Sequence, residues 1–151
     1  MQVQMTQDAF TKTQFLNVDL IIYSRSDLHP LITGIEKHLH VLYLGKENRS
    51  FKACVELARV QRKTPDAIIR GFCSLIQKLP ASERRYWNQA KSRIFDIGIE
   101  FGGKGSHCWF ALAQQTIASA ADVNAQIAVT IYGPRAESKN SLKRRRTASL
   151  K

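Results

Sequence analysis

Arg93-Ile94-Phe95-Asp96-Ile97-Gly98-Ile99-Glu100-Phe101-Gly102-Gly103 is the stretch whose reading decides the fold. Along an extended chain Phe95, Ile97, Ile99 and Phe101 fall on one side, and Asp96, Gly98 and Glu100 on the other. Period-two alternation of this kind marks a half-buried strand. The apolar side must meet helices. The other side carries acids and a glycine where water or a partner can reach. The stretch is therefore read as a strand over 94–101 in the middle of a sheet, running into a glycine loop, with the four apolar residues as core anchors.

Working outward from it, Val18, Leu20 and Ile22 alternate with Asp19, Ile21 and Tyr23 as a first strand. Ser24 to Asp27 offers capping oxygens for a helix carrying Leu28, Leu31, Ile32 and Ile35, with Pro30 in its first turn. His40–Leu44 and the alternating run Phe51–Leu57 form a hairpin about the polar Gly45–Asn48. Thr64-Pro65-Asp66 is a strong helix start: an N-cap hydroxyl, proline at the first position and an acid at the positive helix end. Ile68, Ile69, Phe72, Leu75, Ile76 and Leu79 give that helix its apolar stripe, and Pro80 stops it. A short helix with Tyr86 and Trp87 leads into the central strand. After the glycine loop, Trp109, Phe110 and Leu112 are expected to re-enter the core. A helix over about 114–121, with Ile117 and Ala120 facing in, precedes a last strand through Ile127, Val129 and Ile131. The mixture of hairpins and crossovers predicts an α+β fold: one sheet of about five strands, mostly antiparallel or mixed, with helices packed on one face. The expected organisation is a flexible leader over 1–16, a single domain over 17–134 and a disordered basic tail over 135–151.

The order of these motifs resembles that of a family of small bacterial α+β proteins with no assigned activity. The resemblance is carried by Asn17-Val18-Asp19-Leu20, the proline-started helix ending at Leu79-Pro80, the aromatic helix around Tyr86-Trp87, Phe95-Asp96-Ile97-Gly98, and Val129-Thr130-Ile131-Tyr132. It covers about residues 15–134. It implies this fold and a bacterial, cytosolic origin.

Composition narrows the function classes. The chain has 151 residues, 44% of them hydrophobic, which suits one globular domain. No apolar run approaches the roughly 18 residues of a membrane span. The polar start lacks the pattern of a signal peptide, so a cytoplasmic, membrane-free protein is expected. Cys54, Cys73 and Cys108 are odd in number and widely spaced, which argues for free thiols over a disulfide framework or a redox pair. The net charge is +11, but the last 17 residues hold seven bases against one acid. More than half of the charge therefore belongs to the tail.

Candidate chemistry is sparse. Gly98 to Lys104 matches a phosphate-loop spelling, yet Gly105 stands where magnesium needs Ser or Thr, so no nucleotide site is expected. His38 and His40 lack a third ligand, and neither a metal nor a cofactor is expected. The candidate polar sheet face consists of Asp96 and Glu100, with Asp19 and Glu56 as cross-strand companions. Asp96 and Glu100 stand about 13 Å apart along the strand, too far to share a glycosidic bond. Lys143-Arg144-Arg145-Arg146 is a candidate for nucleic-acid contact by phosphate neutralisation. Arg84, Arg85, Lys91 and Arg93 beside Tyr86 and Trp87 are a candidate second basic patch. The function expected first is non-enzymatic binding of a protein partner, in the manner of small accessory or immunity-type proteins. Nucleic-acid binding through the tail comes second, and a hydrolase centred on Asp96 or Glu100 third.

Overall fold

A computed structural model describes residues 12–103 and 105–133. The elements in order are β1 (Gln14–Ser24), α1 (His29–Ile35) with a 3-10 turn at Glu36–His38, β2 (Leu39–Glu47), β3 (Ser50–Leu57), α2 (Pro65–Gln77), α3 (Ala81–Gln89), β4 (Ser92–Glu100), α4 (Gln114–Asp122) and β5 (Gln126–Tyr132). They form one mixed five-stranded sheet in the order β2-β3-β1-β4-β5, with four helices, an α+β fold. Three ladders are antiparallel and β5 runs parallel to β4. The parallel pair is what a helical crossover through α4 requires. No helix among the described residues is long and apolar enough to cross a membrane.

The core lies between the sheet and the helices. Val18, Leu20 and Ile22 of β1, Ala53 and Val55 of β3, and Phe95 and Ile97 of β4 meet Leu31 and Ile32 of α1 and Ile68, Ile69, Phe72 and Ile76 of α2. Phe72 stacks on Phe95 at 5.6 Å between ring centroids. Thr64 caps α2 as its sequence predicts, accepting the Ala67 amide at 3.2 Å. Asp66 then reaches out of α2 to accept the Ala113 amide at 2.8 Å and the Thr116 hydroxyl at 2.6 Å, which ties the first turns of α2 and α4 together. Arg70 flanks it at 3.1 Å. Burial raises the Asp66 pKa, but those hydrogen bonds and the Arg70 charge outweigh it and hold the carboxyl below its ordinary value.

Several expectations need correction. β1 starts at Gln14, inside the stretch read as leader, because Gln14 and Phe15 pair with Glu100 and Ile99 across a bulge at Leu16. The bulge shifts the alternation by one, which hides the strand's first turn of pattern. The hairpin turn is Asn48-Arg49 alone, with Asn48 in the left-handed region (φ 54°), a conformation asparagine tolerates. β4 stops at Glu100, leaving Phe101 exposed. Trp109 is 82% exposed and stays out of the core, although Phe110 and Leu112 pack against its edge. α4 turns Thr116 and Ala120 inward and Ile117 outward, since Thr116 is the residue that bonds Asp66.

Two of the arginines read as a surface patch, Arg84 and Arg93, are structural. Arg93 is buried, lies over the Trp87 ring, and donates to the carbonyls of Trp87 (2.8 Å), Asn88 (3.0 Å), Ala90 (3.1 Å) and Asn124 (3.4 Å). Arg84 donates to the carbonyls of Ile76 and Gln77 at the end of α2. Arg85 sits over Tyr86. Arg93→Met leaves a cluster of buried carbonyls without donors and is expected to destabilise the domain by about 3 kcal/mol. A lower urea midpoint with an unchanged m-value is the expected readout.

Candidate functional site

The face of the sheet away from the helices carries the polar residues of the alternating strands. The antiparallel register sets Asp19 of β1 directly against Asp96 of β4. Glu56 of β3 flanks Asp19 on the other side, close enough for its charge to act on the Asp19 carboxyl. Glu100 lies farther along β4 and accepts the Gln14 side-chain amide at 3.0 Å. All four acids singled out by sequence line one cleft of about 350 Å³, together with Leu16, Asn17, Gly98, Tyr132 and Gly133. Gly98 forms part of the floor. A Cβ there would rest at ordinary contact distance, 3.5 Å, from the Asn17 carbonyl and the Tyr132 ring, and would make the cleft shallower.

The acids are not equivalent. The Thr130 hydroxyl on β5 sits 2.8 Å from both Asp96 oxygens and donates to that carboxylate. Among the described residues Asp19 has only the weak Cys54 thiol at 3.9 Å to favour its ionised form. Burial first, then the Glu56 and Asp96 charges, push Asp19 from its ordinary 3.8 up to about 6. Burial and the Asp19 charge push the Cys54 thiol up to about 11, so it stays protonated near neutral pH and is no nucleophile. The Tyr132 hydroxyl is likewise held above its ordinary value by burial, then by Asp96 and Asp19. The arrangement can keep a proton on Asp19 in mildly acidic solution, exchange it with a ligand, or attract a cation.

The other candidates fall elsewhere. Among the described residues no three His, Cys, Asp or Glu side chains converge as a metal site, and His38 and His40 are both exposed. The glycine loop has no helix behind it, since α4 begins only at Gln114. Instead the Gly102 amide donates to the Thr13 hydroxyl at 2.9 Å, which pins the loop to the start of β1. Lys143, Arg144, Arg145 and Arg146 lie outside the described residues. Sequence reading missed Asn17 and Tyr132, which line the cleft, and Thr130 and Cys54, which bond its acids Asp96 and Asp19. The alternation of β5 and β3 already placed Thr130, Tyr132 and Cys54 on polar-side positions, but no sequence pattern announced which strands would be neighbours. No protein-family model, curated protein or solved structure matches the chain, so its geometry carries the functional reading.

A raised carboxyl pKa has a stability consequence of definite sign. Folded Asp19 holds its proton more tightly than the unfolded chain does, so this residue's contribution to stability falls as pH rises from about 4 through about 6. Asp19→Asn is expected to remove that dependence and to stabilise the protein above about pH 6 by roughly 1 kcal/mol, a figure reduced for a carboxyl that water still reaches. Urea midpoints of the two proteins across pH test it. Parallel pH profiles would show that Asp19 titrates normally.

Proposed function

We propose that this chain is a non-enzymatic domain that binds a protein partner, taking an extended segment of that partner onto the outer edge of β5. One observation carries the reading. β5 is an edge strand, Gln126-Ile127-Ala128-Val129-Thr130-Ile131-Tyr132, with no charge and no proline, and Val129 and Ile131 are 51% and 68% exposed. Sheet edges template added strands unless charge, proline or a bulge blunts them. The opposite edge, β2, has such devices: a bulge between Val41 and Tyr43, and the charged Lys46 and Glu47. β5 has none. Its register with β4 puts Ile127, Val129 and Ile131 on the helical side, where α4 also presents the exposed Ile117. A partner strand there would gain main-chain hydrogen bonds, and its alternate side chains would cover this apolar row. The free thiols of Cys54, Cys73 and Cys108 support action in a reducing compartment such as the cytoplasm.

A second reading rests on the cleft. A pocket holding a carboxyl with a pKa of about 6, beside Glu56 and facing Asp96, suits general acid–base chemistry and moves the hydrolase alternative from Asp96 and Glu100 to Asp19 and Glu56. Turnover lost in Asp19→Asn with binding retained would mark this reading.

The binding reading is tested with a photo-crosslinking residue at position 129 in the host cell. The captured protein is then purified, and hydrogen exchange of the complex is followed. Expected is slowed exchange across 127–131 and about a hundredfold weaker binding for Val129→Lys, which sets a charge in the added interface. Unchanged exchange in β5 on saturation with the captured protein overturns the reading.

A further inference from the structure

The helical side of the molecule carries a second concave surface, remote in character from the acidic cleft. Where α1 and its 3-10 turn meet the second half of α2 and the end of β3, a depression of about 720 Å³ has a floor of Ile35, Leu57, Leu75 and Leu79. Lys37, His38, Arg59 and Lys78 stand around it. It shares Leu57, Arg59 and Gly71 with a neighbouring depression of about 550 Å³, which continues the groove to Arg62 and Arg70. Among the described residues no acid lines either part; the Glu83 side chain covers Gly34 from the α3 side without entering the lining. Among the described residues Arg70 finds a carboxylate, Asp66, whereas Lys37, Arg59, Arg62 and Lys78 make no ion pair. Gly71 leaves room for the floor: a Cβ there would stand 2.8 Å from a Leu57 methyl, and the Leu57 side chain would have to turn aside.

Like charges gathered around an apolar floor repel one another and leave that floor wetted, and a ligand that is both acidic and apolar relieves both costs. The combination discriminates between anions. A nucleic-acid backbone offers phosphates to the rim but nothing to four aliphatic side chains, and among the described residues no aromatic lines the groove for bases to stack upon. An amphipathic acidic helix presents leucine-type anchors to a floor and carboxylates to a rim. We propose that this groove binds an acidic, amphipathic segment of a partner protein, with its apolar residues on Ile35, Leu57, Leu75 and Leu79 and its carboxylates on Lys37, Arg59 and Lys78. This surface is separate from the β5 edge, and neither depends on the other.

The test uses the full chain and a fluorescein-labelled synthetic helical peptide, with leucines at i, i+3, i+4 and i+7 and glutamates between them. Two further probes are the same peptide with its leucines changed to serine, and a single-stranded oligonucleotide of equal charge. Anisotropy titrations are expected to show saturable binding of the leucine peptide that weakens with added salt. The serine peptide is expected to bind about tenfold or more weakly. Arg59→Glu with Lys78→Glu, both at exposed positions and checked for folding by circular dichroism, is expected to cost about tenfold or more as well. Changing Lys143, Arg144, Arg145 and Arg146 to serine is expected to leave peptide binding intact. The proposal is overturned if the serine peptide or the oligonucleotide binds as tightly through Arg59 and Lys78. It is also overturned if the leucine peptide fails to bind, or binds equally well to the doubly reversed protein.

Discussion

A buried guanidinium that meets carbonyls, and no carboxylate among the described residues, organises one half of this molecule. Arg93 gathers carbonyl oxygens from the end of α3, from the turn into β4 and from the turn before β5, and its plane lies over the Trp87 ring. The Trp87 indole in turn donates to the Val123 carbonyl at 3.0 Å. These bonds satisfy helix-end carbonyls that burial would otherwise leave bare. They also set where β4 begins and where β5 enters beside it. Arginine suits this role because its planar fork of donors addresses several acceptors at once and its charge persists on burial.

With that corner fixed, the asymmetry of the sheet follows. Helices cover one face, so the other must hold its own polar side chains against water. Central strands β1 and β4 bring Asp19 and Asp96 together, and β3 adds Glu56. Like charges at adjacent positions of a sheet are destabilising. The structure eases the conflict unequally: Thr130 supports Asp96, and Asp19 retains a proton into mildly acidic solution. The cleft is therefore a place where stability is given up, and the basic groove on the helical side is its electrostatic opposite.

The fold was largely legible because its signals are local. Thr64-Pro65-Asp66 starts α2, and the alternation of 95–99 makes β4. The acids of the cleft were legible too, since strand parity alone puts Asp19, Glu56, Asp96 and Glu100 on polar faces. What eluded sequence reading depends on partners distant in the chain. Thr116 is buried and Ile117 exposed because Asp66 claims the threonine hydroxyl. Arg93 looks like a surface charge until the carbonyls of Trp87 and Asn124 surround it. The exposure of Val129 and Ile131 follows from β5 being an edge, and strand order leaves no mark in a strand's own residues.

The placement of β1 bears on how the domain comes together. The first strand of the sheet in sequence is the central strand in space, held between β3 and β4. Its hairpin-side neighbour forms early along the chain, but the Asp19–Asp96 ladder closes a loop spanning most of the domain. Such topology gives a high contact order and slow folding. Until β4 arrives, one whole edge of β1, with Val18, Leu20 and Ile22 beside it, stands open to other chains. Asp19, which sits uneasily in the finished cleft, is then a charged guard on that open edge, discouraging β1 from pairing with a copy of itself before β4 is made.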